Sequence, residues 1–402
     1  MTRSFPIIDD LCVAGKKVLL RMDLNVPMQG GKVRDMTRIL KQLPTLRELS
    51  DKGAKVIVLS HFGRPQKTTG GYDPDLSLAP LVDALSEALG KPITFGLDCV
   101  GSEAVSATQN MQNGEVVLLE NLRFHKEEEK NESGFADALA SLGELFVNDA
   151  FSCSHRAHAS VVGLAERLPT AAGRLMQAEL ETLEGLFNTP KRPLGAVVGG
   201  SKVSTKLAIL DHLIDRVDMM IIGGAMAHTF LAAQGYAMGK SLYEPDLVPI
   251  AKKILDHAAE TGCEIVLPVD MVVTKAFAAH APNRIIGIDH IAADEMALDV
   301  GTDSLMNMIA AVKRCKMLLW NGPLGAFETS PFDVATVALA RAVAAQTATG
   351  KLHSVAGGGD TVAALAHAGL FDEFSYLSTA GGAFLEWMEG KPLPGVAALS
   401  HG

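Results

Sequence analysis

Two sets of residues in this chain have types and spacings that suit anions. The first is His353-Ser354-Val355-Ala356-Gly357-Gly358-Gly359-Asp360-Thr361, followed by a helix-like "VAALAHAG". A short apolar run, a glycine turn and a helix start are the parts of a phosphate cradle, because backbone N–H groups and the helix N-terminus point at the ligand. Asp360 stands where a P-loop carries its lysine, so the positive charge has to come from another segment. The second set follows apolar runs in the first half of the chain: "RMDLN" with Asp23 and Asn25, "SHFGR" with His61 and Arg64, "ENLRFH" with Arg123, and "NDAFSCSHR" with Arg156. These residues suit a small, multiply charged, oxygen-rich ligand, since a guanidinium binds phosphate or carboxylate as a fork.

Other motifs do less. The triple-glycine loop fails the dinucleotide fingerprint, because Val362 occupies the place of its last glycine. "GYAMGKS" (235–241) has its glycines one residue too close for a P-loop and follows a helical pattern, so it reads as a turn. "HRAH" (155–158) has metal-like spacing, but no carboxylate or cysteine pattern completes a site. The acidic run 126–132 reads as a solvated loop or helix start.

These residues need elements to position them. Short β-branched runs alternate with helical-period segments at 16–23, 54–61, 115–123 and 144–151, and again at 194–200, 219–225, 263–270, 316–323, 353–359 and 375–382. That alternation predicts an α/β protein with βαβ units and buried parallel sheets. At 402 residues the chain exceeds the roughly 250–300 at which one core stops growing. Two doubly wound, Rossmann-like parallel-sheet domains are therefore expected, 1–172 and 193–390, joined by a helix and hinge at 173–192. The alternative for that helix is a surface element of the first domain. In such sheets ligands bind at the carboxyl ends of strands, where the second half places "GGSK", "GGAM", "LPVD", "NGPLG", "GGGD" and "AGG". A net charge of −10 argues against a broad nucleic-acid-binding face. The five cysteines are scattered, as for reduced thiols, and no apolar run approaches a membrane helix. The expectation is a cytoplasmic protein that binds neither nucleic acid nor membrane.

In these motifs and their order the chain resembles the phosphoglycerate kinase family. "LLRMDLNVP" (19–27), "SHFGRP" (60–65), "ENLRF" (120–124), "HRAHAS" (155–160), "GGSKVSTK" (199–206), "LPVD" (267–270), "WNGPLGAFE" (320–328), "GGGDT" (357–361) and "STAGGA" (378–383) all occur in the family's order. The resemblance implies reversible phosphoryl transfer between ATP and the carboxylate of 3-phosphoglycerate, with ADP and 1,3-bisphosphoglycerate as the other pair. The nucleophile is already ionised at neutral pH, so positioning and electrostatics carry the catalysis. No catalytic serine or cysteine is expected. A non-catalytic nucleotide-binding relative is the alternative, and it would need a lost catalytic charge.

By this resemblance Asp23, Asn25, Arg38, His61, Arg64, Arg123 and Arg156 hold 3-phosphoglycerate, with Arg38 also nearest the transferred group. Arg21 is expected to make a structural ion pair. Lys202 and Lys206, four apart and expected on one helix face, supply the missing charge: Lys206 to the nucleotide phosphates, Lys202 to the group in flight. Gly357, Gly358, Gly359, Asp360 and Thr361 serve phosphate oxygens, with Asp360 as both helix N-cap and partner of the Mg²⁺ that accompanies ATP. Glu328 bonds the ribose, and Gly223 and Gly224 let adenine lie against backbone. The resemblance also implies hinge closure, a tail (391–402) that returns to the first domain, and a monomer. Two departures stand out: Ala380 replaces a glycine in "STAGGA", and "DVGTDS" (299–304) replaces a proline-containing loop near the nucleotide side.

Overall fold

The computed structural model describes residues 4–65 and 72–401. The chain forms two compact units, Met1–Glu181 with Pro392–Gly402, and Thr182–Lys391. The strands are β1 (Lys17–Arg21), β2 (Met28–Gln29), β3 (Lys32–Val33), β4 (Lys55–Leu59), β5 (Ile93–Gly96), β6 (Val116–Leu119), β7 (Leu145–Asn148), β8 (Thr170–Ala172), β9 (Leu194–Val198), β10 (Met219–Ile222), β11 (Glu264–Val266), β12 (Asp270–Thr274), β13 (Asn283–Gly287), β14 (Met296–Val300), β15 (Met317–Asn321), β16 (His353–Gly357) and β17 (Tyr376–Ser378).

In the first unit a six-stranded parallel sheet has the order β5-β6-β4-β1-β7-β8. Successive side chains point to opposite faces, and both faces are covered. Val18, Leu20, Val56, Val58, Val116 and Leu118 enter one core, while Leu19, Ile57, Leu59, Val117 and Leu119 enter the other. That is why these strands read as unbroken apolar runs. Strand β1 lies between β4 and β7, in register Leu20↔Val58 and Leu20↔Val147. The segments after all three strands therefore share one rim. The helix Arg174–Phe187 starts from this unit, where Asp149 Oδ1 accepts from the N–H groups of Leu175 (2.9 Å) and Met176 (3.1 Å). The final segment packs here too, with Ala398 in the second core and the Gly395 N–H donating to Ser154 O.

The second unit has the parallel order β11-β10-β9-β15-β16-β17. Chain order reverses between β9 and β15, the position at which doubly wound sheets form their binding crevice. A three-stranded antiparallel sheet, β13-β12-β14, shares the core on one face through Met271, Val273, Ala297 and Val300, packed with Val197, Ile221 and Trp320.

Each sequence-predicted run contains a strand at its core. The sequence reading misses β5, β8 and the antiparallel β12–β14, of which β13 is largely exposed and so breaks the apolar-run pattern. It also misses the β2–β3 hairpin.

Candidate active site

Cationic groups gather at the rim of the first unit. Arg21, the last residue of β1, is 1% exposed, and its donors are spent inside the protein. Nε donates to Ser160 Oγ (2.9 Å), Nη1 to Met22 O, and Nη2 to His61 Nδ1 (3.0 Å). Arginine has no acceptor, so His61 Nδ1 accepts and the ring proton sits on Nε2. The direct ion pair expected for Arg21 is corrected: its link to a carboxylate runs through Ser160, whose hydroxyl donates to Glu128 Oε1 (2.5 Å). Glu128 corrects a second expectation. It belongs to the acidic run 126–132, but it is fully buried, accepting also from Ser160 N–H (2.9 Å), because it faces Arg21 and His158. Burial raises its pKa, while Arg21 and Ser160 oppose the rise.

Arg123 follows β6; its side chain is 5% exposed, and Nη1 donates to Gly63 O (2.7 Å). Arg156 Nε donates to His155 Nε2 (3.0 Å). Burial drives His61 well below the usual imidazole range, reinforced by Arg21, Arg123, His158 and Arg156. Burial, then the same arginines, lowers His158 to about 3. Burial is the larger cause at both rings, and the neighbouring arginines add to it, so two neutral histidines stand among cations at this rim.

Asp23 follows β1 and is 4% exposed. It accepts from Ser152 Oγ (2.5 Å) and from Asn25 N–H (3.1 Å), and pairs with Arg38 Nη1 at 3.2 Å. Arg38 also donates to Asn25 O (2.6 Å), and Asn25 Oδ1 accepts from Gly63 N–H (3.0 Å). Gln42, one turn after Arg38 on the helix Thr37–Asp51, clamps Asp23 through its backbone N–H (2.7 Å) and carbonyl (2.8 Å). Arg64 is exposed, one residue past Gly63.

In the second unit the loops after β9, β10, β15 and β16 converge. Lys206 is half-buried, and its Nζ donates to Asn321 Oδ1 at the end of β15. Asn321 Nδ2 donates to Gly357 O (2.7 Å), tying the β16 loop to the lysine. Burial lowers the Lys206 pKa, and Asp360 then Glu389 pull it back up. The expected shared helix face for Lys202 and Lys206 is corrected. The helix begins at Leu207, so Lys206 caps it and Lys202 lies exposed in the preceding turn.

Asp360 is likewise not the N-cap. Gly358 is, and Asp360 sits in the first turn of Gly359–His367, exposed. Among the described residues its carboxylate has no hydrogen-bond or ion-pair partner. Thr361 is buried and accepts from Gly322 N–H (2.7 Å). At Gly358, with φ +96°, an added Cβ would lie 2.4 Å from Asn321 Nδ2. Gly199 and Gly322 bring the β9 and β15 loops together so closely that a Cβ on Gly199 would lie 2.0 Å from Pro323 O. These glycines serve loop packing, whereas Gly359 has open space before it.

Beside this cluster lies a cavity of about 550 Å³, lined among others by Gly224, His228, Leu242, Leu298, Pro323, Glu328 and Asp360. Gly224 forms part of the wall, while Gly223 backs Leu324. Asp299 and Val300 of "DVGTDS" line it too. Asp270 of "LPVD" caps the helix Thr302–Arg314, accepting from Ser304 N–H at 2.8 Å. Ala380 lies outside the left-handed region, so it carries no backbone strain. The sequence reading misses Gln42, Glu128, Ser160 and Asn321. Asn321 alone left a signal, as a polar residue closing an apolar strand run.

One α/β unit thus carries a cationic rim, and the other an apolar cavity flanked by a lysine and an acid. The family model described as phosphoglycerate kinase matches residues 8–391. A phosphoglycerate kinase of Rhizobium meliloti (strain 1021) is 57% identical over 397 residues, covering 98% of this chain and 99% of the relative. One from Azorhizobium caulinodans is 56% identical over 396 residues, with 98% and 99% covered. Among solved structures, phosphoglycerate kinase from Coxiella burnetii superposes with TM-score 0.90 at 40% identity, covering 98% of each chain. That from Pyrococcus horikoshii OT3 gives 0.80 at 30%, again with 98% of each covered. The chain belongs to the phosphoglycerate kinase family.

Proposed function

We propose that the chain transfers a phosphoryl group reversibly between ATP and the carboxylate of 3-phosphoglycerate, with ADP and 1,3-bisphosphoglycerate as the other pair. Beyond family membership, the observation that supports this reading is the gathering of Arg21, Arg123 and Arg156 around His61 and His158, where burial lowers both rings and the arginines add to it. That concentration of positive charge suits a polyanion. The carboxylate oxygen bonds to the γ-phosphorus as the bond to the bridging oxygen breaks, and that electron pair leaves on ADP. No general base is needed, because the acceptor is already a carboxylate.

In this reading Arg123, Arg156, Arg64 and the neutral His61 hold the phosphate end of the acid. Asp23 and Asn25 bind its hydroxyl and carboxylate side. Arg38, kept in place by Asp23 and Asn25 O, faces the transferring group. Lys206 holds nucleotide phosphate, Lys202 swings from its exposed turn to the group in flight, and Glu328 takes the ribose. The Gly357–Gly359 turn and Thr361 shape the helix N-terminus that faces phosphate.

Asp360 fits Mg²⁺ as a single exposed, unpartnered carboxylate, the sparse protein ligation that Mg²⁺ accepts when phosphates and water complete its shell. When bound, the ion neutralises charge developing on the β- and γ-phosphate oxygens. Closure of the two units over both ligands, a monomer and a cytoplasmic setting belong to the same reading. Among the described residues no helix is long and apolar enough to cross a membrane. The test is direct: purified protein with Mg-ATP and 3-phosphoglycerate should form an acyl phosphate and ADP, and EDTA should stop it. No acyl phosphate under those conditions would refute the proposal.

A further inference from the structure

His228, on the helix Ala225–Ala233, lines the apolar cavity yet is only 3% exposed. Its Nδ1 lies 2.8 Å from the carbonyl oxygen of Leu242, another cavity residue. A carbonyl oxygen only accepts, so Nδ1 carries the ring proton and Nε2 is left as a bare lone pair. Burial holds the ring below the usual imidazole range, so it does not take up a second proton at neutral pH. No described residue hydrogen-bonds Nε2, and the residue lines the cavity, so this lone pair is free for a ligand there. Asp299, the other buried polar side chain of the wall, has both oxygens occupied by the N–H groups of Val300 (2.9 Å) and Ala335 (3.0 Å). Leu242, Leu298, Pro323 and Leu324 give the cavity apolar wall, while its other polar side chains, Ser201, Lys240, Glu328, Thr329 and Asp360, are at least partly exposed.

We propose that His228 is a specificity-determining residue of this cavity: Nε2 accepts a hydrogen bond from the 6-amino group of adenine. The inference rests on the reading that this cavity takes the base of ATP. An oxopurine would set its own acceptor against the lone pair, and a base without the amino group would leave a buried acceptor unpaired.

The test is calorimetric binding to the whole chain of ADP, purine-riboside 5′-diphosphate (which lacks the amino group), inosine 5′-diphosphate and 2′-deoxy-ADP, for the wild type and for His228→Phe. In the wild type, loss of the amino group should weaken binding about threefold to tenfold, the worth of one neutral hydrogen bond. Inosine diphosphate should bind more weakly still, and 2′-deoxy-ADP like ADP. In His228→Phe, ADP and its desamino analogue should bind alike. The wild-type comparison needs no variant, so it decides even if His228→Phe does not fold. Equal binding of ADP and the desamino analogue to the wild type overturns the inference, as does a loss seen only with 2′-deoxy-ADP. Wild-type protein that shows the amino preference but forms no acyl phosphate leaves the inference standing and removes the catalytic reading. Acyl phosphate formation without the preference does the reverse, and no ADP binding at all removes both.

Discussion

Arg38, proposed to face the transferring group, is held in place before any ligand binds. One Nη1 nitrogen is held by Asp23 (3.2 Å) and Asn25 O (2.6 Å), and Gln42 fixes Asp23 from behind. The guanidinium is thus oriented before the substrate arrives, so no reorganisation is needed when charge develops. Arg38→Ala should lower kcat by about 100- to 1000-fold, the usual loss for one preorganised donor. A coupled assay giving wild-type kcat would remove Arg38 from the mechanism. The buried histidines make a separate prediction about pH. Above 6.5 His158 is neutral both folded and unfolded; below it the unfolded chain takes up a proton, while the folded ring resists to about 3. Stability of the first unit should therefore fall as pH drops from about 6.5 toward 3, at most about 1.4 kcal/mol per pH unit for each such group. Glu128, with its raised pKa, pulls in the opposite direction. Urea midpoints for wild type and His158→Asn should keep a fixed offset above pH 6.5, and the wild type should lose stability relative to the variant as pH falls below it. Parallel curves from pH 7 to 4.5 would show that His158 does not titrate this way.

At the scale of elements, the strand-end loops of the second unit hold one another as much as they face a ligand. Asn321, closing β15, joins Lys206 to Gly357 O, and Gly358 is pressed against its amide. Gly358→Ala should cost about 1–3 kcal/mol from the left-handed φ alone. Displacement of Asn321 should also raise KM for ATP, because it loosens the lysine. Gly359→Ala, with open space and no positive φ, should leave thermal stability near wild type. Melting curves and KM for the pair check this, and equal behaviour of the two variants would mean the loop is not held through Asn321.

At the scale of the molecule, each unit carries its own sheet and its own core. A ligand that binds one unit should stabilise that unit, by about 2.7 kcal/mol at one hundred times Kd. Pulse proteolysis with mapped fragments should show ADP protecting 182–391 and 3-phosphoglycerate protecting 1–181. Protection of the opposite unit by either ligand would reverse the assignment of sites.

The sequence by itself determined the alternation of strand and helix, hence the α/β class. It also set the strand ends that carry Asp23, His61, Arg123, Lys206 and Asp360, because parallel strands buried on both faces must be continuous apolar runs. The tertiary structure alone decided which polar residues are buried and what they touch. Glu128 sits in an acidic run that looks solvated, and only packing against Ser160 and Arg21 gives it a charged partner network. Lys202 and Lys206 have helical spacing, but the tight turn after β9 delays the helix to Leu207. The bare Nε2 of His228 depends on a carbonyl fourteen residues away. Local spacing records periodicity, whereas hydrogen-bond partners, tautomers and pKa shifts depend on neighbours distant in sequence.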